Sequence, residues 1–376
     1  MAPIIFDDGD SVQNIASAHY CKAEASGLKM TGDMVWDGRD LDSSQYTYKL
    51  TEAEIAEIEQ ALDVFKGYGL DGPEISPTNF PLASLGKKLH DFAHVVHAGR
   101  GFVVLAGLDP QKYTAEDNAL LFLGVSSYIG EERGMQDNAG RMMVHVLQDP
   151  RKNSQKGASK SSNKATAFHA EFYCDILAFY VQQEPAGGGM MKLASSWQVY
   201  NNLCQTRPEV VKKLMLPDWK FESRGELFPA CTRPLLFLED GKAILNYSRR
   251  PLLGTHTRKT GDMVGNLTPD QALALMAVQD AATQACVCIP PTKGNMMFIN
   301  NLGMLHARDK FRDDSEHARH IARLWLRNPE LAWNLPLELE RGHQKTYGEN
   351  GLGERWNLVP PTVGEMFDTP NSSTSH

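Results

Sequence analysis

The stretch Arg319-His320-Ile321-Ala322-Arg323-Leu324-Trp325-Leu326-Arg327 constrains the fold more than any other in the chain. Read as a β-strand, it puts Arg319, Ile321, Arg323, Trp325 and Arg327 on one face and Ala322, Leu324 and Leu326 on the other. Both faces are largely apolar, so the strand belongs inside the fold and at least one of its arginines is buried with it. Removing one member of a buried ion pair costs about 3–5 kcal/mol, so a buried guanidinium calls for an anionic partner. No acidic residue alternates with these arginines. The partner is either a carboxylate-bearing ligand or an Asp or Glu from elsewhere in the fold, and the strand alone does not choose between them.

Other segments supply an architecture around it. Thr51-Glu-Ala-Glu54 is a capping box, followed by Ile55, Ile58, Leu62 and Phe65 at helical spacing up to Gly67. A second helix is expected over 82–97, closed by Gly99, and the run 101–107 reads as a buried strand. Further strands are expected at 175–181, 235–238, 243–247 and 296–300, with Asp240-Gly241 as a hairpin turn and one long helix from Thr268 to about Cys286. Many strands with a single long helix among them predict a mainly β chain with helical additions, α+β in class, built as an antiparallel barrel or sandwich. With no repeat and no dividing linker, the expectation is a single domain over 1–376. Its parts are an N-terminal arm (1–33), a helical layer (34–100), a barrel (101–330) and a C-terminal tail (331–376).

Composition removes whole classes of function. At 42% hydrophobic and 22% charged residues the chain is not disordered, and a net charge of −8 gives no overall attraction to nucleic acid. No apolar run reaches 18 residues, the start lacks a signal-peptide pattern, and six cysteines are too few for a disulfide framework. A soluble cytoplasmic enzyme without nucleic-acid or membrane partners is expected. No oligomeric state is specified, and a homodimer is among those admitted. The segment 150–166 opposes the overall charge, with Arg151, Lys152, Lys156, Lys160 and Lys164 and no acid. It is either a solvated loop or a basic lid that draws anions to a nearby site.

The residues just after that loop favour a site. In Phe168-His169-Ala170-Glu171, residues two apart on a strand would set an imidazole and a carboxylate side by side. His306 comes 135 positions after Glu171. Two histidines and one carboxylate on one face of a metal leave three positions open, as iron(II) needs to bind a cosubstrate and oxygen. His-x-Glu by itself is weak in a chain with 12 histidines, where a hydrogen-bonded structural histidine is the default. His90, His94 and His97 also fall at helical spacing, but on the side away from the apolar stripe, and Cys286-x-Cys288 lacks a second pair.

Taken together and in order, several stretches resemble the taurine-dioxygenase-like (TauD/TfdA) branch of the iron(II)/2-oxoglutarate oxygenases, particularly its fungal-type members. They are Trp36-Asp-Gly-Arg-Asp-Leu41, Gly101-Phe-Val-Val-Leu-Ala-Gly107, Phe168-His-Ala-Glu171, Lys192-Leu-Ala-Ser-Ser-Trp197, Lys293-Gly294 to Asp309, and the arginine strand. The resemblance implies a double-stranded β-helix, or jelly-roll barrel. It implies that His169, Glu171 and His306 are the catalytic iron ligands, that Arg319 holds a carboxylate of 2-oxoglutarate, and that Arg323 contacts the cosubstrate or an acidic group on the substrate. The implied reaction uses iron(II), 2-oxoglutarate and O2 to oxidise an unactivated C–H bond by hydroxylation, desaturation or cyclisation. Succinate and CO2 are released, and the substrate is a small polar, carboxylate-bearing molecule such as an amino acid.

Two departures bear on this. Glu171 stands where the family more often has aspartate, a difference that related amino-acid oxygenases share. Met191 replaces a hydroxyl residue that helps hold 2-oxoglutarate, and a thioether cannot donate that hydrogen bond. The alternatives are a sulfonate- or carnitine-pathway-type hydroxylase of the same superfamily, and a barrel that binds metal or ligand without catalysis.

Overall fold

The structure, a computed structural model, describes residues 28–148, 162–253 and 267–361. Most of the expected arm, most of the basic loop and the end of the tail lie outside the described residues.

The arginine stretch forms the strand His320–Arg327, with Arg319 immediately before it. It lies in a seven-stranded sheet ordered Thr47–Lys49, Phe102–Ala106, Met296–Asn300, Ile176–Gln183, His320–Arg327 and Glu132–Arg133, with Met143–Leu147 also paired to His320–Arg327. Only the first two strands pair in parallel. A strand hydrogen-bonded on both edges and apolar on both faces needs two covers, and the chain supplies both.

Ala322, Leu324 and Leu326 share one core with Ala178, Tyr180, Met296 and Phe298. A helical layer closes that side. The helix Glu52–Tyr68 begins at the expected Thr51–Glu54 capping box and passes Gly67 to end at Gly69, whose φ of 65° is the left-handed conformation a glycine cap supplies. The helix Leu85–Ala98 packs beside it. A third helix, Ala115–Ser127, is buried at every residue from Asn118 onward, so it has no polar face and no helical period to announce it. It extends the layer beyond the expected limit of residue 100.

The opposite face carries Ile321 and Trp325 together with Phe179, Val181, Met297 and Ile299, in a second core. A four-stranded sheet ordered Val287–Ile289, Met191–Ser195, Met304–Arg308 and Thr166–His169 contributes Leu193 and Leu305 to it. Behind this sheet lie the helices Ser196–Thr206, Pro208–Met215 and Pro269–Ala285, the last started by a Thr268–Gln271 capping box. Full burial of each large aliphatic or aromatic side chain is worth about 1.5–3 kcal/mol, so these two cores dominate the stability of this mixed α+β fold.

Asp240 and Gly241 make the expected tight turn between Leu236–Glu239 and Lys242–Leu245, both with positive φ. The stretch expected as a tail instead contains the helix Leu337–Tyr347. It is fastened by His343 Nε2 to Asp175 Oδ1 at 2.9 Å and by the Tyr347 hydroxyl, which accepts from the Asp175 amide at 3.1 Å and donates to Leu326 O at 3.0 Å. Gly342 lies so close to the Tyr173 ring that a Cβ there would overlap it. Among the described residues no helix is long and apolar enough to cross a membrane.

Candidate metal centre

The strand Thr166–His169 ends at His169, and His306 on Met304–Arg308 is its direct partner across the sheet. Their rings lie 4.1 Å apart, centroid to centroid. Glu171 is not on that strand, so the expected side-by-side pairing along a strand does not occur. After His169 the chain leaves the small sheet to start the large one at Ile176, and Glu171 sits in this crossing. Asn301 fixes the crossing with three buried bonds. Its Oδ1 accepts from the Glu171 amide at 2.8 Å, and its Nδ2 donates to Glu171 O at 2.8 Å and Cys174 O at 2.7 Å.

His169, Glu171 and His306 are all buried, and one ligand atom from each falls within 4.8 Å of the others. His169 Nδ1 meets Ala167 O at 2.8 Å, which assigns the proton to Nδ1 and the lone pair to Nε2. Burial lowers the His169 pKa against the pull of Glu171 and favours the neutral, ligating form. Two imidazoles and one carboxylate fit a divalent iron with open positions.

Arg323 meets this set directly. Its Nη1 donates to Glu171 Oε1 at 2.7 Å, with both side chains only 1% exposed. Its Nε donates to Gln136 Oε1 at 2.8 Å, and Gln136 Nε2 donates to Arg323 O at 2.9 Å and Met142 O at 2.8 Å.

Arg319 has a different setting. It is 5% exposed, and among the described residues no carboxylate comes within ion-pair distance of its guanidinium. Its side chain lies over the Phe311 ring at 5.2 Å, and Arg308 lies over the same ring at 4.8 Å. Burial and the Arg308 charge push Arg319 down to about 9 against the pull of Asp313, still protonated at neutral pH. Arg308 is tied to Ser162 O and Lys164 O by its Nη2, at 2.7 and 2.6 Å, and so grips the described end of the basic loop. Met191 is the cross-strand partner of Arg308. The position that lacks the expected hydroxyl is therefore beside Arg308, one of the two arginines over Phe311.

A fourth arginine was not singled out from the sequence. Arg224 is held by its loop: Asn138 Nδ2 donates to Arg224 O, and Asn138 Oδ1 accepts from the Leu227 amide at 2.8 Å. Phe228 in the same loop stacks on Tyr173 at 5.7 Å and meets Trp325 edge-on at 6.5 Å. Burial and Arg250 push Arg224 down to about 10, while Glu171 pulls it up. Gln136 and Asn301 were also missed as functional residues. Their partners lie 187 and 130 positions away, with no local pattern to reveal them.

The competing histidines do not assemble. His90 and His94 are exposed and pack against each other. His97 is buried rather than solvent-facing, with Nδ1 on Ala93 O at 2.8 Å. A cavity of about 660 Å³ lies elsewhere, lined in part by Lys29, Gln198, Asn201 and Lys212, and none of the three candidate ligands lines it.

Residues 65–325 match the family described as Taurine catabolism dioxygenase TauD, TfdA family. The chain is 34% identical over 354 residues to the Taurine hydroxylase-like protein SAT17 of Stachybotrys chartarum, covering 91% of this chain and 90% of that one. It is 24% identical over 322 residues to the FR-33289 synthase of Streptomyces rubellomurinus, covering 82% and 93%. Among solved structures, an asparagine oxygenase in complex with Fe(II), 2S,3S-3-hydroxyasparagine and succinate superposes with a TM-score of 0.59 at 16% identity, over 75% of this chain and 93% of that one. The non-heme iron oxygenase OrfP in complex with Fe and alpha-ketoglutaric acid gives 0.59 at 16% identity, over 82% and 100%. At that identity the likeness is one of fold.

Proposed function

The chain belongs to the TauD/TfdA dioxygenase family, and from that premise we propose that it oxidises an unactivated C–H bond of a small, acid-bearing molecule such as an amino acid. The reaction class is that of a non-haem iron(II)/2-oxoglutarate dioxygenase, with O2 as the oxidant and 2-oxoglutarate as the two-electron co-reductant. The observation that carries the reading is the buried His169, Glu171 and His306 donor set, together with the buried Arg319 and Arg308 that share the Phe311 ring.

His169, Glu171 and His306 would hold the iron. An iron held there would supply the oxidising power for C–H cleavage from 2-oxoglutarate and O2, with succinate and CO2 as coproducts. Arg319, helped by Arg308 across the Phe311 ring, binds the far carboxylate of 2-oxoglutarate. A guanidinium fork meets a carboxylate through two charge-assisted bonds, and a buried one gains most from doing so. Arg323 is the second cationic contact, to the cosubstrate or to an acidic group on the substrate, while it also holds Glu171. Arg224, on the loop pinned by Asn138, adds positive charge near Glu171 and supports an acidic substrate. Burial of the set excludes bulk water from the reacting centre.

The hydroxylated asparagine and succinate named in one similar structure support an amino acid as substrate. The name of the fungal relative favours a second reading, a sulfonate-type hydroxylase. We further propose that the two sheets close into a jelly-roll barrel, that the chain acts as a single oxygenase domain, and that it works in the cytoplasm without nucleic-acid or membrane partners.

The test is to purify the protein anaerobically, add iron(II) and 2-oxoglutarate, admit oxygen and measure succinate across a panel of amino acids, sulfonates and organic acids. Substrate-stimulated succinate above a His169→Ala control is expected. No succinate above that control with any compound would favour a barrel that binds without catalysis, the reading that Met191 motivates.

A further inference from the structure

Arg323 does not reach Glu171 unaided. Its guanidinium is set by Gln136, a side chain with no exposed surface that engages both ends of the residue: Oε1 accepts from Arg323 Nε at 2.8 Å and Nε2 donates to Arg323 O at 2.9 Å. A further bond from Nε2 to Met142 O at 2.8 Å and one from the Gln136 amide to Arg141 O at 2.9 Å fix Gln136 itself. The result is a buried chain, Met142 O–Gln136–Arg323–Glu171, that ends on Oε1 of the one carboxylate in the donor set. Long unbranched side chains such as Arg and Glu lose considerable rotamer freedom when fixed, and here one amide restrains the arginine from both ends. A glutamate is one methylene longer than the aspartate more usual at this position, so its second oxygen needs holding if the first is to present a defined ligand atom.

We infer that Gln136 is a positioning residue for the metal centre: through Arg323 it engages Oε1 of Glu171 and so biases that carboxylate to ligate through its other oxygen. This rests on the iron-site reading above. It adds a residue outside the ligand set whose effect should appear in metal affinity and in the metal's spectrum, because groups that orient a ligand commonly change metal affinity by about 10–100-fold.

The experiment is a titration of the metal-free protein with cobalt(II), a probe ion with visible ligand-field bands, followed by absorbance and calorimetry. Gln136→Met keeps an unbranched side chain of similar size and removes both hydrogen-bonding functions. It is expected to raise the cobalt Kd at least about tenfold and to alter the visible bands. A folded Gln136→Met protein with wild-type cobalt affinity and spectrum overturns the inference. Should that variant fail to fold, Gln136→Glu decides. It keeps the shape and an acceptor for Arg323 Nε but draws the guanidinium away from Glu171, so the same weakening is expected and an unchanged affinity again overturns the inference. His169→Ala tests the underlying site separately. If it binds cobalt as tightly as the wild type does, the metal-centre reading fails, whatever Gln136 does.

Discussion

Arg319, just before the strand His320–Arg327, and Arg323 within it stand four residues apart, both almost completely buried, at 5% and 1% exposure. At Arg323 the fold supplies a carboxylate and an amide oxygen, each within 2.8 Å. At Arg319 it supplies an aromatic ring and a second arginine, with Asp313 as the acid acting from further off. The cost of burying a cation is thus offset inside the protein at one position and left open at the other. The difference separates a charge that holds the centre together from one that completes its surroundings only when an anion arrives.

Substitution of each arginine sets the two roles against each other. The largest effect is expected for Arg319→Met. Two charge-assisted hydrogen bonds at about 1.5–3 kcal/mol each correspond to a KM for 2-oxoglutarate raised by two orders of magnitude or more. The ligand-free protein should be as stable as the wild type or more so, since a buried charge with no carboxylate at ion-pair distance among the described residues is removed. Succinate formation against 2-oxoglutarate concentration reads the first and urea unfolding the second. A normal KM with lost stability would reverse the assignment of roles. Arg323→Met should do the opposite to the fold. It removes the guanidinium bonded to the buried Glu171, and breaking a buried ion pair costs about 3–5 kcal/mol, here in the metal-free protein. A divalent metal should restore part of that loss by taking the place of the guanidinium charge, so the variant's unfolding midpoint should gain more from metal than the wild type's. Equal gains would mean that Arg323 and the metal do not share Glu171.

Asn301 extends the contrast to an uncharged group. Asn301→Ala removes three buried bonds around the crossing that carries Glu171. Leaving those backbone groups unsatisfied costs about 1–3 kcal/mol. Metal affinity should fall with stability, whereas KM for 2-oxoglutarate at saturating metal should hold. A shifted KM at full metal occupancy would mean that the crossing also shapes the cosubstrate pocket.

How much of the molecule was legible in its sequence depends on the range of each interaction. Period two along 319–327 sorted Ile321 and Trp325 from Ala322, Leu324 and Leu326 correctly between the two cores, because alternation is fixed by the backbone alone. The capping boxes at Thr51 and Thr268 and the Asp240-Gly241 turn are likewise local chemistry. His169, Glu171 and His306 could be picked out by residue type and by resemblance, but their approach depends on cross-strand register and on Asn301, which no local pattern encodes. Gln136 and Arg224 were invisible for the same reason. The helix Ala115–Ser127 escaped because burial on every side erases the periodicity by which helices are read. The resemblance assigned Arg319 and Arg323 as ligand contacts. It did not reveal that Arg323 is already engaged with Glu171, since that bond spans 152 positions.

A charge far from the centre gives the smallest effect and the control for the others. Burial alone would push the Glu54 carboxyl up, but the Lys88 ammonium, the Thr51 amide and hydroxyl and the Tyr48 hydroxyl hold it down at about 2, from an ordinary 4.5. A carboxylate whose folded pKa is depressed adds stability that is fully present above its unfolded pKa and is lost as pH falls through the folded value. The window here runs from about 4.5 down to about 2. Lys88 is half exposed, so solvent screens the pair and the contribution is small. Glu54→Gln should lower stability at pH 7 by less than Asn301→Ala does and should flatten the acid limb of the stability profile, with metal affinity unchanged. If it matched Arg323→Met in size, paired charge anywhere in the fold would count as much as paired charge at the metal centre, and the contrast between the two arginines would lose its meaning.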